Sequence, residues 1–222
     1  MKPALGLNLA LLAALPAAAQ MKTFPLKSLD GLKPHGVIAE PVNYQGRASV
    51  RVVEPTPGSE GEEKLVLVSG LDFQDGVIEV DVAGRPRPGA PETSRGFIGL
   101  AFRVAAGASK FELIYLRPMN GRAENQVQRN HSVQYVSVPD FPWQRLRKET
   151  PEMYESYVDL VAGEWTKVKI EVRGRKARLY VHGAAQPTLL VNDLKLGETR
   201  GGVALWIGPW TEGHFASLRI SP

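Results

Sequence analysis

Alternation of apolar and polar residues recurs along most of this chain, and a side-chain period of two is the period of an extended strand rather than of a helix. In GVIEVDV, Ile78, Val80 and Val82 alternate with Val77, Glu79 and Asp81, which predicts a strand with one apolar and one largely acidic face. In WTKVKIEVRG, Val168, Ile170 and Val172 point inward while Lys167, Lys169, Glu171 and Arg173 face water, the pattern of a half-exposed antiparallel strand. KARLYVHG continues the core with Ala177, Leu179 and Val181, and Gly174 between the two runs supplies a tight turn, so Trp165 to His182 is expected as a hairpin. In RGFIGLAFRV the larger apolar set is Ile98, Leu100, Phe102 and Val104; Phe97, Gly99, Ala101 and Arg103 face the other way, and the small residues among them leave room above the sheet. GRASVRVVEP, KLVLVSG, GGVALWIG and HFASLRI read as further strands, separated by polar, proline-rich loops at 55–63 and 85–93. The best helical candidate is a short piece around Glu152 to Tyr157, after Pro151. About a dozen short strands with no internal repeat predict an all-β chain folded as a two-sheet antiparallel sandwich.

With 222 residues, 43% of them hydrophobic, the chain is long enough for one large β domain with its own core. Residues 1–19 have the layout of a signal peptide: Lys2, an apolar run from Leu5 to Leu15, then Ala17 and Ala19 where a signal peptidase prefers small residues. Cleavage after Ala19 leaves one domain over 20–222. Two alternatives are a membrane anchor, for which the run falls short of the roughly 20 residues needed and is broken by Pro16, and translation from Met21. Nothing downstream reads as a membrane-spanning helix, so no membrane insertion of the mature chain is expected. An exported protein without cysteine is held by its core alone, which suits a periplasmic or secreted bacterial protein. Loss of Lys2 leaves 26 basic against 23 acidic residues, a net charge of +3. The basic residues are scattered except for Arg145, Arg147 and Lys148, and no nucleic-acid-binding motif is present. A modest positive field does concentrate anionic polysaccharide without specifying it.

Taken together, GVIEVDV, RGFIGLAFRV, KFELIYLRP, GEWTKVKIEVRGRKARLYVHG and GGVALWIG resemble the concanavalin A-like lectin/glucanase superfamily over nearly all of 20–222. The hairpin GEWTKVKIEV–ARLYVHG is similar to that of laminin G-like and pentraxin-like domains. The resemblance implies a jelly-roll sandwich and a carbohydrate or glycoside partner. Within the superfamily the segment order is most similar to the 3-keto-disaccharide hydrolase group, with Glu79, Arg103 and Phe111-Glu112 at the group's acidic, arginine and aromatic-Glu positions. After Glu112 this chain runs Leu113-Ile114-Tyr115-Leu116-Arg117, where that group usually carries further polar residues. A laminarinase-type glycosidase of the same fold needs Glu-x-Asp-x-Glu, because retaining hydrolysis places two carboxyls about 5 to 5.5 Å apart. Here the segment is Glu79-Val80-Asp81-Val82-Ala83, with Ala83 in the third acid position.

Planar polar side chains and aromatics crowd between Phe111 and Tyr157. Such side chains form paired hydrogen bonds to adjacent sugar hydroxyls, and aromatic faces cover the C–H surface of the ring. The ligand-binding candidates are Arg103, Tyr115, Arg117, Asn120 and Gln128, together with Asn130, Gln134, Tyr135 and Trp143. The alternative is a long loop at 118–130 whose amides and guanidiniums satisfy its own backbone. His131 is an acid-base candidate near neutral pH. Glu112 shares a strand face with Ile114 and Leu116, an apolar setting that raises a carboxyl pKa and suits proton transfer; alternatively it pairs with Arg103 on the neighbouring strand. WQRLRKETPEMYESY, a loop capped by a short helix, is either a lid across one sheet or a charged run packing Trp143 and Leu146 on the sandwich edge. The four histidines, His35, His131, His182 and His214, form no metal motif, and no cofactor is expected. Asp72, Asp75, Asp193 and Glu212 are the carboxylates available to a structural calcium ion, without calcium-loop spacing. The functional expectation is an exported carbohydrate-binding sandwich, the alternatives being a glycoside or 3-keto-glycoside hydrolase or lyase, and a structural or protein-interaction module.

Overall fold

The structure is a computed structural model that describes residues 20–59, 61 and 63–222. The expected signal peptide, 1–19, lies outside these residues. The early strands are β1 (Lys22–Phe24), β2 (Leu32–His35), β3 (Ile38–Tyr44), β4 (Arg47–Val53), β5 (Leu65–Phe73), β6 (Gly76–Pro86), β7 (Ile98–Val104) and β8 (Phe111–Leu116). Helix α1 (Gln126–Asn130), β9 (Val133–Val138), α2 (Trp143–Glu149) and β10 (Glu155–Ser156) follow, and then β11 (Thr166–Arg173), β12 (Lys176–Val181), β13 (Leu189–Val191), β14 (Gly201–Ile207) and β15 (Thr211–Ser221). An eight-stranded sheet has the order β13-β12-β11-β6-β15-β4-β3, with β1 also on β15; a seven-stranded sheet has the order β10-β9-β8-β7-β14-β5-β2. Both are antiparallel throughout the described residues.

The alternation sets the register. Ile78, Val80 and Val82 of β6 sit opposite Ile170, Val168 and Thr166 of β11, and the three apolar side chains are almost fully buried. Across the sandwich, Ile98, Leu100 and Phe102 of β7 lie beside Leu116, Ile114 and Glu112 of β8 and beside Ile207, Leu205 and Val203 of β14. The two sheets meet closely: a Cβ on Gly213 of the eight-stranded sheet would fall 2.7 Å from Ile207 Cγ2 and 3.2 Å from Ile98 Cδ1. This places the even-numbered residues of β7 and β8 on the inner face. Each fully buried aliphatic side chain there contributes roughly 1.5–3 kcal/mol. The predicted hairpin forms as β11 and β12, with Val168, Ile170 and Val172 opposite Val181, Leu179 and Ala177.

The helical expectation is corrected. Glu152–Tyr157 is not helical; the helix lies one step earlier, at α2, after Pro142 in the N-cap position. Thr150 closes α2 by donating its N–H to Leu146 O, and Pro151 cannot continue the helical ladder. Glu155 then enters β10 against Gln134. Leu146 is buried, and Arg145 and Glu149 pair one turn apart on the exposed side.

Candidate functional site

The odd-numbered residues of β7 and β8 point away from the sandwich core, and one transverse row of this outer face runs Glu155, Gln134, Tyr115, Gly99, Trp206. Gly99 is decisive in it. A Cβ there would stand 2.3 Å from Ile114 O and 2.6 Å from Tyr115 Cβ, so only glycine lets Tyr115 lie across β7 and reach Trp206, with ring centroids 4.9 Å apart. Phe97 meets the edge of Tyr115 at 6.1 Å. An aromatic floor is thus built from β8, β14 and the residue just before β7.

Arg117, one residue past β8, extends over this floor, its guanidinium 5.1 Å from the Tyr115 ring centroid. It donates to Tyr115 Oη and Gln134 Oε1 from Nη2, and to His131 O and Glu155 Oε1 from Nη1, at 3.0–3.1 Å. From α2, Arg147 donates through Nε to Glu155 Oε2 at 3.0 Å and through Nη2 to Oε1, while covering the Trp143 ring at 4.6 Å. Trp143 and Arg147 are one turn apart, which is why one short helix supplies both. His131 Nε2 lies 3.5 Å from Glu155 Oε2.

Burial would raise the Glu155 carboxyl, but the Arg147 hydrogen bonds and the charges of Arg117 and Arg147 outweigh it and hold the group below its usual range. His131 is pushed down by burial; the Glu155 charge opposes this and the two arginines reinforce it, so the imidazole is neutral at pH 7. Beside this network opens a groove of about 250 Å³. Its lining joins two aromatic rings, Phe97 and Trp143, to three guanidiniums, Arg95, Arg117 and Arg147, and to Asn120, Gln128 and His131. Asn120 donates to His131 O, and its Oδ1 is buried without a hydrogen-bond partner. His131 also lines an adjoining cavity of about 290 Å³ with Asn130, Glu155 and Tyr157.

The structure therefore gathers Tyr115, Arg117, Asn120, Gln128, His131, Gln134 and Trp143 at one place, with Asn130 next to it. Glu112, Arg103 and Tyr135 are elsewhere. Glu112 shares the inner face with Phe102 and Tyr135, accepts from Tyr135 Oη and Leu196 N at 2.8 Å, and is fully buried. Burial raises its pKa, partly offset by these two donors. The expected Glu112–Arg103 pair is replaced by an Arg103–Asp75 pair, with the guanidinium also donating to the carbonyls of Gln74, Gly174 and Gly197. Arg103 thus ties loops together inside the protein. Tyr135 Oη accepts from Lys195 N as it donates to Glu112. The groove lining adds Arg95, Phe97 and Arg147, which the sequence did not single out for binding, and Glu155 and Trp206 are buried beneath it. The nearest signal for two of them was the run WQRLRKETPEMYESY; its helix α2 packs on β9, next to the edge strand β10, with Leu146 buried and Trp143 packed against the core, as the edge-packing alternative required.

His214 lies on the outer face of the other sheet, stacked on Tyr44 at 3.7 Å and 3.3 Å from Glu212; it flanks a packed aromatic corner. The four carboxylates available to calcium do not converge. Asp72 pairs with Arg200, Asp75 with Arg103, Asp193 with Lys195, and Glu212 with Arg51 and Arg85. Among the described residues, no group of three or more His, Cys, Asp and Glu is placed to hold a metal.

No protein-family model matches the chain, and no curated protein matches it. Solved structures do. A carbohydrate-binding module, CBM66, from Bacillus subtilis superposes with a TM-score of 0.54 at 14% identity, over 85% of this chain and 98% of that one. A Bacillus licheniformis beta-glucanase gives 0.51 at 12% identity, over 94% and 100%. A putative glycosyl hydrolase from Parabacteroides distasonis gives 0.51 at 12% identity, over 88% and 89%. At these identities the likeness concerns the fold, which is the concanavalin A-like jelly-roll sandwich. The finer resemblance in segment order to the 3-keto-disaccharide hydrolase group has no counterpart among these three structures.

Proposed function

We propose that this protein is an exported carbohydrate-binding protein whose ligand lies in the groove against Phe97 and Trp143. The observation that carries this reading is the meeting, in one groove, of aromatic rings with rigidly held guanidinium, amide and imidazole groups. Rings cover the apolar face of a sugar, and planar donors pair with its vicinal hydroxyls. The Asn120 Oδ1 atom, buried without a partner, is an acceptor for such a hydroxyl, since a buried polar atom left unmatched is costly. The carbohydrate-binding module and the beta-glucanase that share the fold support a sugar as the ligand class. The signal-like layout of residues 1–19 and the absence of cysteine support export. No helix among the described residues is long and apolar enough to cross a membrane.

The test is thermal shift and calorimetric titration of the mature protein against a panel of oligosaccharides and polysaccharides. Binding of at least one glycan is expected, with at least a tenfold loss in Trp143→Ala. A folded protein that binds no glycan, or a Trp143→Ala variant of unchanged affinity, overturns the reading. A second reading, glycoside cleavage, is favoured by one observation: His131 is neutral, lines the groove and is available as a base. Incubation with glycosides and 3-keto-glycosides tests it, product release abolished by His131→Gln being the supporting result. The groove lining carries no carboxyl among the described residues, so the carboxylate pair of a retaining glycosidase is not part of this reading. A structural or protein-interaction module would give neither glycan binding nor product.

A further inference from the structure

We propose that the glycan bound in this groove is acidic, and that a uronate carboxylate sits against the guanidiniums at its rim; this rests on the carbohydrate-binding reading above. Three of the groove's lining residues, Arg95, Arg117 and Arg147, are cationic, and none is acidic. The carboxylate that answers them, Glu155, is shielded beneath two of them with its side chain only 4% exposed. Glu152, exposed, lines the adjoining cavity beside His131, so three positive charges against two negative leave the cluster with a net charge of +1, next to a neutral imidazole, and the groove lining itself is purely cationic. Such an excess at a surface opening is an electrostatic demand for an anion. The site is stiff: Arg117 and Arg147 are held by Glu155 and lie over aromatic rings, so little ordering is needed on binding. Planar guanidiniums match a carboxylate through paired N–H donors; Arg117 commits four of its five inside the site, so it contributes charge, and the pairing falls to Arg95 and Arg147.

Asn120 sets the other half of the ligand. Its unmatched Oδ1 calls for a donor, which a carboxylate lacks and a hydroxyl has. A ring that carries both a carboxylate and vicinal hydroxyls, with a C–H face for Trp143, is a uronic acid. Neutral sugars would leave the charge excess unanswered, and a small anion such as phosphate would leave the aromatic surface uncovered.

Oligogalacturonate, oligomannuronate, oligoguluronate and hyaluronan oligosaccharides, each beside its carboxyl-reduced neutral counterpart, are titrated into the mature protein at low and high salt. A sulfated oligosaccharide, from carrageenan, serves as a separate arm. Expected is binding to at least one uronate, at least tenfold weaker for its reduced counterpart, and weakened by salt because the charges are partly exposed. Arg95→Gln, at the rim, and Arg147→Gln should each lower uronate affinity by about tenfold, with melting curves confirming that both variants are folded. Equal affinity for the reduced counterpart, binding of neutral glycans only, or binding of the sulfated glycan only overturns the uronate assignment and leaves the carbohydrate-binding reading standing. Failure to bind any glycan overturns both.

Discussion

Replacing Glu155 by glutamine removes the carboxylate that Arg117 and Arg147 share, with almost no change of shape. In the wild-type protein this group accepts from Arg117 Nη1 and Arg147 Nε, both at 3.0 Å, with its side chain 4% exposed. Loss of one partner from a buried ion pair costs roughly 3–5 kcal/mol. Two features of the site place Glu155→Gln at the low end. Arg147 is 35% exposed and regains water, and Arg117 keeps His131 O, Gln134 Oε1 and Tyr115 Oη as acceptors. A cost of about 3 kcal/mol in a domain of this size lowers Tm by roughly 6–12 °C.

The pH dependence tests the mechanism itself. The Glu155 carboxyl titrates below its ordinary value of 4.5 in the folded protein. Its contribution is therefore fully present above the unfolded value and disappears as the pH falls through the folded one. Thermal unfolding of wild type and Glu155→Gln between pH 7 and pH 3 should show a gap that is constant above about pH 5 and closes at lower pH. A variant that melts within 2 °C of wild type at pH 7, or a gap that persists unchanged to pH 3, would refute the view that this carboxylate holds the arginines in place.

Three further changes probe the two faces of the seven-stranded sheet and the opposite sheet. Glu112→Gln leaves glycan affinity unchanged, because Glu112 lies on the inner face. Its raised pKa gives the opposite linkage: wild-type stability falls as the pH rises above 4.5, so the variant gains relative to wild type over that range, as denaturant titrations at pH 4.5 and 7 would show. Gly99→Ala forces a methyl to within 2.6 Å of Tyr115 Cβ, costs about 1–3 kcal/mol by overpacking, and displaces the aromatic floor, so that both Tm and glycan affinity drop; a variant with wild-type Tm would contradict the close approach of β7 and β8. In Glu212, burial is outweighed by hydrogen bonds from Arg85 and Arg51, and its pKa falls to about 2. Glu212→Gln therefore destabilises the protein at neutral pH, and in acid titrations monitored by circular dichroism its deficit fades as the pH drops from 4.5 towards 2.

The longer strands, and the one hairpin of β11 and β12, were legible because burial imposes a period of two on both sheets, and a sandwich has to bury one face of each; the order of the strands in each sheet was not. Parity was legible as well: the sequence already put Glu112 with Ile114 and Leu116, and Gly99 with Ala101. What alternation alone leaves open is which parity faces the other sheet when both are largely apolar, as in β8 and β9, where every residue is buried. Glu112 and Tyr135 looked like site residues because they are polar or amphipathic in an apolar strand. The structure resolves them as a buried hydrogen-bonded pair, closed by the backbone N–H groups of Lys195 and Leu196. Those donors are about 60 and 84 residues away along the chain, and no local pattern announces them.

Arg103 shows how alternation misleads. By parity it belongs with Gly99 and Ala101 on the outer, ligand-facing side, yet its φ of +52° interrupts the extended backbone. The facing strand shifts register between Gly202 and Val203, opposite the same stretch of β7. The irregularity redirects the guanidinium into carbonyls of three separate loops. Arg117 follows β8 without such a break, remains on the side of Tyr115, and so reaches the groove. The same residue type thus serves the scaffold in one strand and the candidate site in its neighbour. What separates the two roles is one backbone dihedral, which coincides with a register shift in the strand paired against it, and alternation along β7 carries no sign of either.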